Sequence, residues 1–269
     1  MFEIKLSQGA KPGKGGMLPG GKVNSEIAAI RGIKVGQDSI SPNRHPEISN
    51  TNELLDFIEL VREHTQKPTG IKFVLGDPDW LDDFIATIQV RGATSAPDFI
   101  TLDSADGGTG SAPQPLLDYV GLRIAESLPV LVDKLRKAGL DERIRVIVSG
   151  KMVNPGDVAW ALAVGADFVV SARGFLFSLG CIQAMQCNKN TCPTGITTHN
   201  PKLQRGLVPQ DKAQRVAQYH QAIEYGVNLI AHSCGVRDPR ELRREHARIV
   251  LSDGDSMNLA QYYQAKTPH

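Results

Sequence analysis

The stretch CIQAMQCNKNTC places Cys181, Cys187 and Cys192 within twelve residues, three of the four cysteines in the chain. Offsets of six and five turn these thiols apart on a helix, so a loop must swing them together. Three soft thiolates on one small site suit an iron–sulfur cluster with one corner not held by protein, a three-iron cluster. Zinc is the competing reading and needs a fourth ligand, which His199 or Cys234 could offer. Three buried structural cysteines are the bland alternative, and the density within twelve residues argues against it. Cys234, on a helix far downstream, otherwise reads as a buried apolar residue.

Four further stretches carry chemistry. QGAKPGKGGMLPGGKV (8–23) is rich in glycine and holds three lysines just past a strand. Glycines let backbone amides approach a ligand, and Lys11 and Lys14 could hold a carboxylate or phosphate; the P-loop pattern is absent, and a solvated surface loop is an even alternative. DSADGGTGSAP (103–113) follows a strand candidate, and its Asp106, Gly107, Gly108, Thr109 and Gly110 form a backbone able to lie against a flat ring or cradle an anion. VSGKM (148–152) and VSARG (170–174) end two successive strands, where barrel enzymes frequently bind phosphate: Gly150 and Gly174 would present amides and Arg173 a bidentate fork. Lys72 sits inside an apolar strand candidate, where a lysine without a role is rare; it could lie beside an electron-rich ring or act as a Schiff-base amine, unless an edge strand turns it to water. The seven histidines show no metal-ligand spacing.

The elements that must position these residues read as short apolar runs alternating with helices. Strand candidates fall at 2–8, 38–42, 70–76, 98–106, 144–151 and 168–174. Most lack period-2 alternation, as buried parallel strands do. Leu54, Ile58 and Val61, and Leu131, Leu135 and Ala138, repeat at helical spacing. Asn154-Pro155 reads as an N-cap with proline at N1. After Cys192 the strand pattern stops; residues about 210–250 read as helical, with Gly235 a C-terminal cap candidate. Polar residues gather at strand ends, which favours a (β/α)8 TIM-type barrel over an open doubly wound sheet. Six strands fall short of eight, so either two are hidden in loops or the barrel is incomplete at its N-terminus.

Length and charge bound the rest. The chain has 269 residues, 41% of them hydrophobic, and a formal net charge of +1. No basic stripe points to nucleic acid. No apolar run is long enough to span a membrane, and no leader pattern is visible. A cytoplasmic protein is the expectation, and in a reducing compartment clustered cysteines suggest metal or redox chemistry.

FEIKLSQGAKPGKGGMLPGGKV, ISPNRHPEIS, DGGTGSAP and GCIQAMQCNKNTCPTGI together resemble the flavin-binding region of the glutamate synthase family, in that family's order, over most of residues 2–200. The resemblance is closest to the shorter FMN-binding members. It implies a barrel carrying FMN and a three-iron, four-sulfur (3Fe-4S) cluster, with reduced flavin delivering a hydride to 2-iminoglutarate formed from 2-oxoglutarate and ammonia. Electrons would come from ferredoxin or an NADPH-oxidising subunit. Cys181, Cys187 and Cys192 match the cluster ligands. Gln8, Lys11 and Arg31 match residues that hold the 2-oxoglutarate carboxylates, with Lys11 and Lys72 at the reacting centre and Lys72 beside the ring. Asp106, Gly107, Gly108, Thr109, Gly110, Gly150, Arg173 and Gly174 fall where ring and phosphate lie. The expected organisation is a barrel portion over 1–200 and a helical C-terminal extension over 201–269 packing on it. The family's glutaminase cysteine and the barrel part that precedes FEIK are absent from this sequence, so a partner fragment is a further expectation. Two other functions stay open: a Schiff-base barrel lyase, and a non-catalytic split or truncated barrel subunit with a zinc-type cysteine site.

Overall fold

The computed structural model describes residues 1–108, 112–113, 115–117 and 119–266, with Lys266 described by its backbone alone. In chain order the elements are β1 (Phe2–Lys5), β2 (Met17–Leu18), α1 (Ser25–Arg31), β3 (Ser39–Ile40), α2 (Thr51–Thr65), β4 (Thr69–Val74), α3 (Asp79–Arg91), β5 (Phe99–Asp103), α4 (Ile124–Lys137), β6 (Arg145–Ser149), α5 (Pro155–Val164), β7 (Phe168–Val170) and α6 (Ala172–Leu179). They continue with α7 (Pro201–Gln204), α8 (Pro209–Ser233), β8 (Arg248–Val250), β9 (Ser256–Asn258) and α9 (Leu259–Lys266).

Five strands form one parallel sheet in the order β1-β4-β5-β6-β7. Each new strand joins on the same side of the last, with no reversal of order. Right-handed crossovers then place every connecting helix on one face. The core confirms this: Ile4, Ile71, Phe73, Ile100, Leu102, Val146 and Val148 pack in one cluster with buried residues of α2, α3, α4 and α5. A doubly wound sheet would have helices on both faces. The architecture is therefore α/β of the barrel type, and the described strands form an open arc of it.

Alternation along the strands turns a second set to the opposite face, the concave side of the arc. By register Lys5 pairs with Lys72, Lys72 with Thr101, and Asp103 with Ser149. Thr101 donates to the Glu3 carboxylate at 2.6 Å. Apolar residues on this face are open at the arc's end: Phe168 is 57% and Val170 45% exposed.

Local sequence explains the helix starts. Asn50 accepts from the Glu53 amide at 3.0 Å and begins α2. At α5, Pro155 occupies the first turn and the Asp157 carboxylate accepts from the Asn154 amide at 3.2 Å. Gly235, with φ of 81°, ends α8 in a left-handed turn, as its sequence position suggests. This long helix lies across α5 and α6: Gly226 abuts the Pro155 ring, and the Tyr219 hydroxyl donates to the Val153 carbonyl at 2.8 Å.

Two sequence expectations are corrected. The 38–42 run does hold a strand, but outside the parallel sheet: its Ser39 and Ile40 pair antiparallel with Leu18 and Met17 in a two-residue ladder. Helix does not continue to 250. After Ser233 the chain makes two 3-10 turns and then the β8–β9 ladder, because Gly235 and Pro239 interrupt it and three-residue strands with no buried residue leave no periodic pattern. Among the described residues no helix is long and apolar enough to cross a membrane.

Opposite the strand C-termini, Asp98 fastens three elements. Its carboxylate accepts from the Thr69 amide at 2.7 Å and pairs with Arg62 at 3.1 Å and Arg143 at 3.0 Å. Burial alone would raise its pKa; the Thr69 amide and the Arg62 and Arg143 guanidiniums outweigh that and hold it below the usual carboxylate value. With the folded pKa depressed, its contribution is present above about pH 4 and lost as pH falls through the folded value. Asp98→Asn is expected to cost about 2 kcal/mol at neutral pH in urea unfolding, with the gap to wild type narrowing below about pH 4.

Candidate active site and cysteine cavity

All five parallel strands point their C-terminal ends to one edge, and several of the predicted site residues gather there. Asp103, last in β5, is the anchor. Its carboxylate accepts from the Gly9 amide at 2.8 Å and faces the Lys72 ammonium at 3.9 Å. The Gly9 bond pins the glycine-rich 8–16 loop over the strand ends. Only glycine permits that approach: a Cβ on Gly9 would lie 1.7 Å from the Ser104 carbonyl oxygen. Gly150 is equally constrained, with φ of 134° and a Cβ position 2.2 Å from the Ser104 Cβ. Asp106 accepts from the Ser104 hydroxyl and faces Lys151 at 3.4 Å. Gly107 donates to the Ser104 carbonyl at 3.0 Å, and the Gly108 carbonyl accepts from Arg173 at 2.5 Å. Thr109 and Gly110 lie outside the described residues. Gly174 is buried inside α6 against Tyr219, where a Cβ would meet the phenol oxygen at 1.8 Å. Its smallness thus serves helix packing.

Beside this edge a cleft of about 430 Å³ is lined by Lys5, Gln8, Lys11, Lys14, Arg44 and His45, among others, and by no carboxylate. Gln8 and Lys11 both line it. Arg31 does not join them: it lies on the exposed side of α1, and its guanidinium donates to the Ser39 hydroxyl at 3.2 Å. Lys5 and Arg44 are additions. Lys5 donates to the Gln8 amide oxygen. Burial lowers its pKa, and the positive charges of Lys72 and Lys11 lower it further. That grouping was legible only through strand register, which sets Lys5 directly beside Lys72.

A second cavity, about 190 Å³, is lined by Cys181, Cys187 and Cys192 together with Arg173 and Thr197. The loop that gathers the thiols is bent hard: Gln183, Met185 and Asn190 have φ between 53° and 60°, a conformation that costs a side chain free energy and concentrates at functional sites. Burial raises the Cys192 pKa, but the Thr194 hydroxyl at 3.5 Å and the Thr197 amide lower it more, to about 6. The Thr197 hydroxyl, buried beside the thiol, lowers that pKa as well. His199 and Cys234 are not in this wall; Cys234 packs with Ala231 and Leu242 instead. Among the described residues no three His, Cys, Asp or Glu side chains converge on a single metal ion. A larger cleft of about 520 Å³ near Trp80 and Asp83 contains none of the predicted site residues.

Sequential parallel strands, helices on one face and polar loops at the strand C-termini define a protein of the β/α-barrel class. The flavin-binding domain of baker's yeast flavocytochrome b2 supports the architecture, with a TM-score of 0.51 at 17% identity over 99% of this chain and 53% of that one. The family model described as the conserved region in glutamate synthase matches residues 1–237. The glutamate synthase large subunit-like protein YerD of Bacillus subtilis (strain 168) is 43% identical over 258 residues, 96% of this chain and 49% of that protein. The archaeal glutamate synthase [NADPH] of Methanocaldococcus jannaschii is 36% identical over 252 residues, 92% of this chain and 48% of that protein. The chain belongs to the glutamate synthase family. It spans about half the length of the curated relatives it matches.

Strand-end packing yields a direct test. Gly150→Ala is expected to lose about 2 kcal/mol or more in urea unfolding, because its Cβ meets Ser104 at a positive φ. Gly156→Ala, in open space on α5, is expected to be neutral or slightly stabilising.

Proposed function

We propose that this chain forms the flavin- and cluster-binding part of a glutamate synthase-like oxidoreductase acting on 2-oxoglutarate or a similar oxo acid. The observation that carries the reading is the cleft at the strand ends: Lys5, Lys11, Lys14 and Arg44 line it with no acidic residue. Four cations around a space of small-molecule size suit a dicarboxylate, since each carboxylate can take charge-assisted hydrogen bonds.

The residues fit the two groups the family implies. For FMN, the first turn of α6 has no side-chain cap, and Arg173 lies in it. Free amides at a helix N-terminus beside a guanidinium suit a phosphate. Lys72, half-buried near the Gly9–Asp103 contact, supplies a cation for a ring that gains negative charge on reduction. For the cluster, three thiols, one with a pKa of about 6, line one cavity. When bound, FMN supplies hydride transfer to an imino acid such as 2-iminoglutarate, and a 3Fe-4S cluster supplies one-electron relay.

The chain's own residues then bind, orient and shield. Lys11 and Gln8 hold the oxo acid, Lys5 organises Gln8 and adds charge, and the pinned 8–16 loop covers the strand ends. Ferredoxin or an NADPH-oxidising subunit fits as electron donor in this reading. Residues 1–200 form its barrel portion and 201–269 the extension packing on it. The zinc reading gains nothing from the placement of His199 and Cys234.

Two outcomes check this. In the FMN-loaded protein, Lys11→Met is expected to raise the Kd for 2-oxoglutarate at least about tenfold by titration calorimetry, with a smaller change for the monocarboxylate 2-oxobutyrate. An unchanged Kd would remove the cleft from the account. Cys187→Ser is expected to lower iron and acid-labile sulfide together in protein assembled anaerobically; zinc at one per chain with no iron in wild type would contradict the cluster.

A further inference from the structure

Lys22 closes the glycine-rich segment, in a 3-10 turn (Gly20–Lys22). That turn is rigidly placed: the Gly20 amide donates to Asp38 at 2.5 Å, and a Cβ on Gly20 would lie 2.0 Å from the Gly36 carbonyl oxygen. From there the Lys22 side chain reaches 165 residues along the chain to the Cys187 carbonyl and also donates to the Thr197 carbonyl at 2.8 Å. Both residues line the cysteine cavity, one a cysteine and the other the residue whose amide supports Cys192. Among the described residues, Lys22 makes the only hydrogen bonds between the 8–42 segment and residues 181–200, and it forms no ion pair there. Its charge is therefore half-buried beside the cavity and not neutralised by a carboxylate.

We propose that Lys22 is a positioning residue with two effects. It locks the cysteine loop to the segment that carries the anion cleft, and its ammonium raises the reduction potential of the cluster held by Cys181, Cys187 and Cys192. The proposal rests on the cluster reading given above. Acceptance of one electron from an external one-electron carrier adds a unit of negative charge at the cavity and makes or breaks no bond. A fixed cation nearby favours that state, most strongly where water is partly excluded. Carbonyl ligation alone would hold the loop; only the charge would shift the potential.

The test separates the two. Wild type, Lys22→Arg, Lys22→Gln and Lys22→Met are assembled anaerobically, their iron and sulfide counted, and the cluster's midpoint potential measured by spectroelectrochemical titration, with the flavin's own potential as internal reference. Hydrogen exchange of the 187–197 amides follows the loop. Lys22→Arg is expected to match wild type. Lys22→Gln and Lys22→Met are expected to lower the cluster potential by a tenfold shift in the one-electron equilibrium, about 59 mV, with faster exchange in the loop for Lys22→Met. Equal potentials in all four loaded proteins would overturn the electrostatic role, and unchanged exchange would overturn the lock, while leaving the cluster reading standing. Wild type without iron and sulfide would instead overturn the cluster reading itself, and this proposal with it.

Discussion

One carboxylate organises the working edge of this protein. Asp103 ends β5 on the concave face, takes the Gly9 amide and faces Lys72. Through the first contact it fixes the loop that lines the cationic cleft. Through the second it holds a half-buried ammonium at the strand ends, where a lone charge would be costly to desolvate. Gly9 and Gly150 close on neighbouring Ser104 from two directions, so the strand-end loops pack backbone to backbone. Small changes at these positions are consequently felt across the edge.

The cysteine cavity is joined to that edge by few but polar connections. Arg173 lines the cavity and donates to the Gly108 carbonyl of the loop after β5. Lys22 grips the cysteine loop from the far end of the glycine-rich segment. The cationic cleft and the cysteine cavity are thus held by elements bonded to one another. An oxidoreductase that passes electrons between two groups needs such fixed spacing.

Much of this was legible in the sequence because it rests on strong local rules. Buried parallel strands show as unbroken apolar runs, the α5 start as Asn-Pro, and the cysteine loop as thiol density. What escaped rests on long-range placement. Lys5 looks like any strand-end lysine until register sets it beside Lys72. Arg31, adjacent in sequence to the cleft segment, turns out to cap its own small module through Ser39. The packing of Gly174 against Tyr219, 45 residues on, has no local signal either. The β8–β9 ladder is too short and too exposed to carry a pattern.

The central claim is that the strand-end edge delivers reducing equivalents to an oxo acid held by the lysine cleft. The direct measurement is a single turnover under anaerobic conditions: the reduced FMN-loaded protein is mixed with 2-oxoglutarate and ammonium, and flavin absorbance and glutamate are followed. The account predicts reoxidation that requires both compounds and yields about one glutamate per flavin, the stoichiometry of a two-electron hydride transfer. A flavin that stays reduced with both present would contradict it.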